Sequence, residues 1–306
     1  MAYIVMGQRQ DEHAGLIYQK LKERGARVFL LETHLFPTAI KFSFSPNDGG
    51  GALSFGDETV AFKEVKAVFW RNFCGVADES TRQNYCSTDD IAAKDSMACL
   101  RTWFRLSSNT LWMNSWDAFQ HHKEKPLQLH LVSSLGVNIP KTYIGNNIED
   151  IQNYFNELDK SIFKPVFGGA HTEMLTQAHI DNANLKGVLA KSPITVQEYI
   201  SGTNIRTYVI GDKIISAELV SDCADFREDT ELAIHLIETP QHIAMQSKLI
   251  AKTLGLNWTA IDWRRNELGE YYFLEANPSP MFIGFEKRSG VPLSDYIIDC
   301  LTRNTK

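Results

Sequence analysis

Apolar and polar positions alternate along the first third of this chain in a pattern that reads as strand, helix, strand. Tyr3 to Met6 is a short apolar run. From Asp11 to Arg24, Ala14, Ile17, Tyr18 and Leu21 recur at helical spacing. Gly25 stands where a helix commonly ends in a left-handed residue. Val28 to Leu31 is apolar again, so the opening predicts an α/β layer. Lys41–Ser45 and Ala52–Phe55 alternate with period two on either side of Asn47-Asp48-Gly49-Gly50-Gly51, which predicts a hairpin with a glycine turn. No helix beginning Lys-Ser or Lys-Thr follows those glycines, so a phosphate loop is the weaker reading. Val65 to Trp70 predicts another buried strand, ending in Arg71-Asn72, and Ile91 to Leu106 predicts a helix.

Beyond Asn114 the pattern changes to short strands with helices between them. Lys125 to Val132 predicts a helix with Pro126 in its first turn and Gly136 as its stop. Val137 to Ile144 reads as extended, and Ile148 to Leu158 as a helix. Ser161–Pro165 is a strand, Gly168-Gly169 a loop, and Thr172–Leu175 a returning strand. Ile194–Ile200 predicts a strand, and Asn204–Val209 with Lys213–Leu219 a hairpin about Gly211. Ile243–Leu254 predicts a helix stopped by Gly255, and Leu293–Leu301 a closing helix. The division expected from these shifts is 1–115, 116–202 and 203–306.

Composition narrows the function classes. The chain has 306 residues, enough for two or three domains. Its formal net charge of −6 gives no basic field, so nucleic acid is not expected as a partner. No run approaches the roughly 18 apolar residues of a membrane span. The start, Met-Ala-Tyr-Ile-Val-Met-Gly, does not read as a signal peptide. The five cysteines lack zinc-ligand spacing and read as reduced thiols of a cytoplasmic protein. A homodimer, the commonest soluble assembly, is the default expectation.

The most informative stretch is Tyr272-Phe273-Leu274-Glu275-Ala276-Asn277-Pro278-Ser279-Pro280. An apolar run from Tyr271 to Leu274 predicts a buried strand with Glu275 and Asn277 on one side at its end. Pro278 then ends the ladder. Thr259 to Asp262 predicts a neighbouring strand, with Arg264, Asn266 and Gly269 in the turn between the two. Asp262, Glu275 and Asn277 thus form a set of hard oxygen ligands suited to Mg²⁺. Lys164, before Pro165 and the Gly168-Gly169 loop, suits a phosphate oxygen. Taken alone it reads better as a solvated strand-end lysine. Gln197-Glu198-Tyr199-Ile200 reads either as an exposed strand or as an edge that meets adenine. Arg206 and Arg227 carry planar forks suited to phosphate or carboxylate, although each by itself reads as a surface arginine. Arg71 reads as an anion contact or an inter-domain ion pair. His121 and His122, near Trp112 and Trp116, suggest a metal site or an aromatic cage, but read better as structural or exposed histidines.

Taken in order, these units resemble the ATP-grasp carboxylate–amine ligases. The order is Lys125 before a helix, Val-Asn-Ile-Pro-Lys-Thr, Phe-Lys-Pro, Gln-Glu-Tyr-Ile-Ser-Gly, Asn-Ile-Arg, Asp-Phe-Arg, Ile-Asp-Trp-Arg and Phe-Leu-Glu-Ala-Asn-Pro. The pattern is most like that of RimK-type glutamate ligases and of the microviridin-type ligases that macrocyclise ribosomal peptides. The resemblance implies an α/β protein with α+β subdomains: an ATP-grasp fold preceded by a Rossmann-like pre-ATP-grasp domain. It implies that Lys125, Lys164, Gly168 and Gly169 contact phosphates. Gln197, Glu198, Tyr199 and Ile200 would line the adenine pocket. Asp262, Glu275 and Asn277 would hold Mg²⁺ or Mn²⁺. Arg206, Arg227 and Arg264 would serve the transferring phosphoryl group or the substrate carboxylate.

The implied activity is ATP-dependent conversion of a carboxylate to an acyl phosphate, then to an amide or ester, on a peptide or amino acid. Two other outcomes stay open: a small-molecule kinase on the same grasp, and a nucleotide- and peptide-binding protein without turnover. The chain departs from the pattern at Asn204, where RimK-type enzymes usually have Asp, and at Asn72, where macrocyclising ligases often have Arg. It also departs in the acidic run Glu228-Asp229-Thr230-Glu231.

Overall fold

A computed structural model describes all residues except 77–87, 108, 168–171, 183, 221–232 and 304–306. It divides into two compact units. The first comprises Met1–Phe119, Gly255–Trp258 and Pro278–Lys306, and the second Gln120–Leu254 and Thr259–Asn277.

In the first unit, β1 (Ala2–Met6), α1 (Glu12–Glu23) and β2 (Arg27–Leu31) form the expected strand–helix–strand opening. The Asp11 side chain caps α1 by accepting a hydrogen bond from the Ala14 amide at 2.9 Å. Ala14, Ile17 and Leu21 supply its buried stripe. Strands β3 (Ile40–Phe44), β4 (Gly51–Phe55) and β5 (Glu58–Ala61) form a small antiparallel sheet, one strand more than the hairpin expected. β6 (Val65–Trp70), α2 (Thr88–Leu106) and β7 (Leu111–Met113) follow, and α3 (Trp116–Lys123) begins here. The main sheet has the order β2-β1-β6-β7, and its pairs are parallel. Its central strands are covered on both faces, which is why they read as unbroken apolar runs. Trp70 lies in the core among Phe104, Trp112, Trp116 and Phe119, so Trp112 and Trp116 pack against rings and form no cage around a ligand.

The second unit opens with α4 (Lys125–Ser134) and β8 (Thr142–Gly145). Then come α5 (Ile148–Glu157), β9 (Ser161–Pro165), β10 (Glu173–Leu175), α6 (Gln177–Ile180), α7 (Leu185–Leu189) and β11 (Ile194–Glu198). These strands make an antiparallel sheet in the order β10-β9-β11-β8, with a core formed by Ile151, Leu175, Leu189 and Val196. A second sheet contains β12 (Thr203–Ile210), β13 (Lys213–Val220), β14 (Ala233–Ile237), β15 (Trp258–Arg265) and β16 (Tyr271–Asn277), with α8 (Gln241–Thr253) before β15. Its order is β14-β13-β12-β15-β16. The β15 strand runs three residues beyond Asp262, so Arg264 sits in the ladder opposite Tyr272 and not in the turn. The turn itself is organised by the Asn266 side chain, which accepts from the Leu268 and Glu270 amides at 3.0 and 2.9 Å.

The chain ends in the first unit with α9 (Ile283–Ser289) and α10 (Leu293–Thr302). α10 packs on α1 and β6. Lys20 and Arg24, one helical turn apart, pair with Asp295 and Asp299 at 2.7 Å each. Among the described residues no helix is long and apolar enough to cross a membrane. Cys74, Cys99 and Cys300 are not disulfide-bonded.

One buried amide joins three separated segments of the first unit. Asn114 is fully buried. Its Nδ2 donates to the carbonyls of Trp258 and Pro278 at 2.7 and 2.6 Å. Its Oδ1 accepts from the amides of Asn257 and Trp258 at 2.7 and 3.2 Å. Replacing it with alanine would leave four backbone groups unmatched, three of them in buried bonds, and each such buried group costs about 1–3 kcal/mol. Asn114→Ala should therefore lower stability by at least about 3 kcal/mol, read as a shift of the urea midpoint without loss of the second unit's helical signal.

Candidate active site

The β15–β16 hairpin sets the geometry. Asp262 lies opposite Glu275, and Ala260 opposite Asn277. The register then slips: Trp263 pairs with Phe273, leaving Leu274 as an extra residue on β16. That bulge matters because strict alternation would put Tyr271, Phe273, Glu275 and Asn277 on one face. With the bulge, Tyr271 and Phe273 turn to the apolar face and meet the Trp263 ring. Glu275 and Asn277 join Asp262 on the other face. Two carboxylates and an amide therefore share one side of a short hairpin, as their spacing predicts. Among the described residues no three His, Cys, Asp or Glu side chains cluster for a metal, and the third member here is an amide.

Each acid has a cation beside it. The Arg206 fork on β12 grips Asp262 through two bonds, Nε to Oδ1 at 2.8 Å and Nη2 to Oδ2 at 2.9 Å. Both side chains are largely buried, with 16% and 10% exposed. Burial works against the Arg206 charge, but the Asp262 carboxylate outweighs it and raises the arginine pKa. Lys125, at the start of α4, donates to Glu275 Oε2 at 2.7 Å. Burial pushes the Glu275 carboxyl upward, yet the Lys125 charge and hydrogen bond prevail, helped by His122 and Lys164, and hold it at about 2. Lys164 donates to Gln197 Oε1 at 3.0 Å, and Gln197 Nε2 donates to Thr142 Oγ1 at 2.8 Å. Gln197 is buried, so its amide orients the lysine.

The segment between the candidate ligands is held from α3 and α4. Gln128 accepts from the Ala276 amide at 2.9 Å and donates to the Ala276 carbonyl at 3.1 Å. His122 Nδ1 lies 3.1 Å from the same carbonyl. Burial, then the charges of Lys125 and Lys123, lower the His122 pKa against the opposing pull of Glu275. β16 is an edge strand, so its outward backbone groups need such partners. Reasoning from sequence named His122 without its partner and passed over Gln128. For Gln128 the signal was a glutamine inside the apolar run Leu127-Gln128-Leu129.

The remaining candidates divide as follows. The Glu198 carboxylate accepts from the Lys141 amide at 3.1 Å. The guanidinium of Arg264 points to Tyr199, Ile200 and Asn204. Arg227, Gly168 and Gly169 lie outside the described residues. Arg71 pairs with Asp11 at 3.1 Å and donates to the Ser279 carbonyl at 2.8 Å, both within the first unit, so it makes no inter-domain pair there.

Comparison with known proteins identifies the family. The profile of the RimK-like ATP-grasp domain matches residues 122–301. That of the MvdD pre-ATP grasp domain matches residues 4–120. A probable alpha-L-glutamate ligase 2 from Shewanella denitrificans is 27% identical over 208 residues, covering 63% of this chain and 68% of the relative. The ATP-grasp ligase PsnB, solved with a phosphomimetic variant of its minimal precursor, Mg and ADP, superposes with a TM-score of 0.85 at 26% identity, covering 99% of this chain and 98% of that one. The macrocyclase MdnC of Microcystis aeruginosa, bound with precursor peptide MdnA, has a TM-score of 0.84 at 25% identity, covering 99% and 100%. The chain is a member of the RimK-like ATP-grasp family, an ATP-grasp ligase with a pre-ATP-grasp domain at its amino-terminal end.

Proposed function

We propose that the protein uses ATP and Mg²⁺ to activate a carboxylate on a peptide or amino acid as an acyl phosphate and joins it to an amine or hydroxyl. The observation that carries this reading is the hairpin face bearing Asp262, Glu275 and Asn277, with Arg206 and Lys125 in contact with its two acids. Hard oxygen donors of this kind fit Mg²⁺, which would neutralise phosphate charge and polarise the transferring group. The structural relative PsnB was solved with Mg and ADP, which supports the choice of cofactors. The acceptor is a peptide in our reading because both PsnB and MdnC were solved with precursor peptides. A cytoplasmic setting, where ATP is made, suits the reaction.

A carboxylate is a poor electrophile because its charge repels the incoming amine. Lys125, Lys164 and Arg206 are the cations that would steady the negative charge moving through the γ-phosphoryl group. Lys125 and Arg206 are also counter-ions of Glu275 and Asp262. The two acids would exchange those cations for Mg²⁺, which releases the lysine and the arginine to phosphate oxygens. Metal and nucleotide are therefore expected to bind together far better than either binds alone. Gln128 keeps the strand between the ligands straight while partners change.

Three results follow. Incubated with ATP, Mg²⁺ and a glutamate-rich peptide, the protein should release ADP and phosphate and give a product one water lighter than its parts by mass spectrometry. Glu275→Ala should slow that release on the order of 100-fold or more; full activity in the variant, or a product that gains phosphate, would overturn the assignment. Lys125→Met should bind free Mg²⁺ several-fold more tightly and Mg·ADP about tenfold more weakly by calorimetry; weakening of both would refute the exchange of partners. The Lys125–Glu275 pair also has a pH signature. The carboxyl lies at about 2 in the folded chain against an ordinary 4.5, so the pair's stabilisation is complete above pH 4.5 and is lost as pH falls toward 2. Urea melts of Lys125→Met should accordingly decline less steeply than wild type across that window.

A further inference from the structure

Arg264 lies on β15 two residues beyond Asp262 and shares its face of the sheet. Its guanidinium is directed at one short stretch of chain. Nε donates to the Ile200 carbonyl at 2.8 Å, Nη1 to Asn204 Oδ1 at 2.9 Å and Nη2 to the Tyr199 hydroxyl at 3.3 Å. The guanidinium carbon also stands 5.7 Å from the centre of the Tyr199 ring. Residues 199–202 are the whole connector between β11 and β12, and Asn204 is the second residue of β12.

The connector is fixed from a second direction as well. Gly202 has φ +141° and rests against the backbone of Arg265, where any Cβ would collide with the Arg265 carbonyl. The three acceptors of Arg264 are a carbonyl, an amide oxygen and a phenol, all neutral. A lysine ammonium would match the charge as well as an arginine does, but it could not reach three separated acceptors from one rigid plane. What the site uses is the shape of the fork.

We propose that Arg264 is a positioning residue for the base and sugar half of the nucleotide. It sets the Tyr199–Asn204 connector, and through it the Gln197–Ile200 strand end, and it takes no share of the polyphosphate charge. The proposal rests on the reading that Gln197–Ile200 lines the adenine pocket. It separates two neighbours on one strand: Asp262 serves the metal and phosphate end, and Arg264 the opposite end.

The test divides the nucleotide in the same way. Full-length protein is titrated by calorimetry with Mg·ADP, Mg·GDP and Mg·tripolyphosphate. Arg264→Gln should lose about tenfold or more in ADP affinity and most of its preference for ADP over GDP, with tripolyphosphate affinity unchanged within about twofold. Arg264→Lys should behave like Arg264→Gln. If tripolyphosphate binding falls in step with ADP, or if lysine restores ADP affinity, charge is at work and the proposal is wrong. If Arg264→Gln does not give a cooperative melt, Asn204→Ala carries the test: it removes one acceptor, and it should weaken ADP a few-fold and leave tripolyphosphate unchanged. Unaltered ADP binding in either folded variant overturns the proposal. A wild-type protein that binds neither ADP nor tripolyphosphate removes the nucleotide reading itself, a failure distinct from these.

Discussion

Two carboxylates directly opposite each other on neighbouring strands repel, and a half-buried sheet face makes that repulsion worse. Asp262 and Glu275 stand in that relation. Much of the second unit can be understood as what is needed to hold them there. Arg206 must come from β12, the neighbour of β15 on the side away from β16. Lys125 must come from the start of α4. A buried charge that loses its partner is strongly destabilising, so each cation is required by the fold before any ligand is considered. The same two cations are the ones a polyphosphate would attract. In the proposed mechanism, stability and chemistry draw on the same four side chains.

The bulge at Leu274 solves a second problem. The apolar residues Tyr271 and Phe273 and the polar residues Glu275 and Asn277 all occupy odd positions of one strand. A regular strand would have to bury a carboxylate or expose two rings. One extra residue reverses the parity, so that each set faces its own surroundings. Backbone groups on this edge strand then find partners elsewhere: Gln128 at Ala276, and the Asn138 carbonyl, which accepts from the Phe273 amide at 2.8 Å.

The sequence was most legible where local pattern decides the outcome. The β1–α1–β2 opening was readable because a central parallel strand is apolar on both faces and α1 repeats with helical period. Asp262, Glu275 and Asn277 could be grouped because a hairpin links them over a short distance. Their counter-ions could not, since Arg206 is 56 residues from Asp262 and Lys125 150 residues from Glu275. Strand β7 has three residues and α9 seven, too few for periodicity to show. Arg264 was expected in a turn because Arg264-Arg265-Asn266 is a polar run. Its partners lie at least 60 residues away, in the β11–β12 connector and at the start of β12, which local polarity does not reveal.

Asp295 and Asp299 of α10 meet Lys20 and Arg24 of α1 across 275 residues of chain. Packing of α1 is therefore complete only once α10 is in place. Closing so long a loop is entropically slow compared with local pairing. α10 covers part of α1 and β6, with its Leu293, Ile297, Ile298 and Leu301 buried. The contacts that complete the first unit thus link its two most distant helices, and its closure is a long-range event.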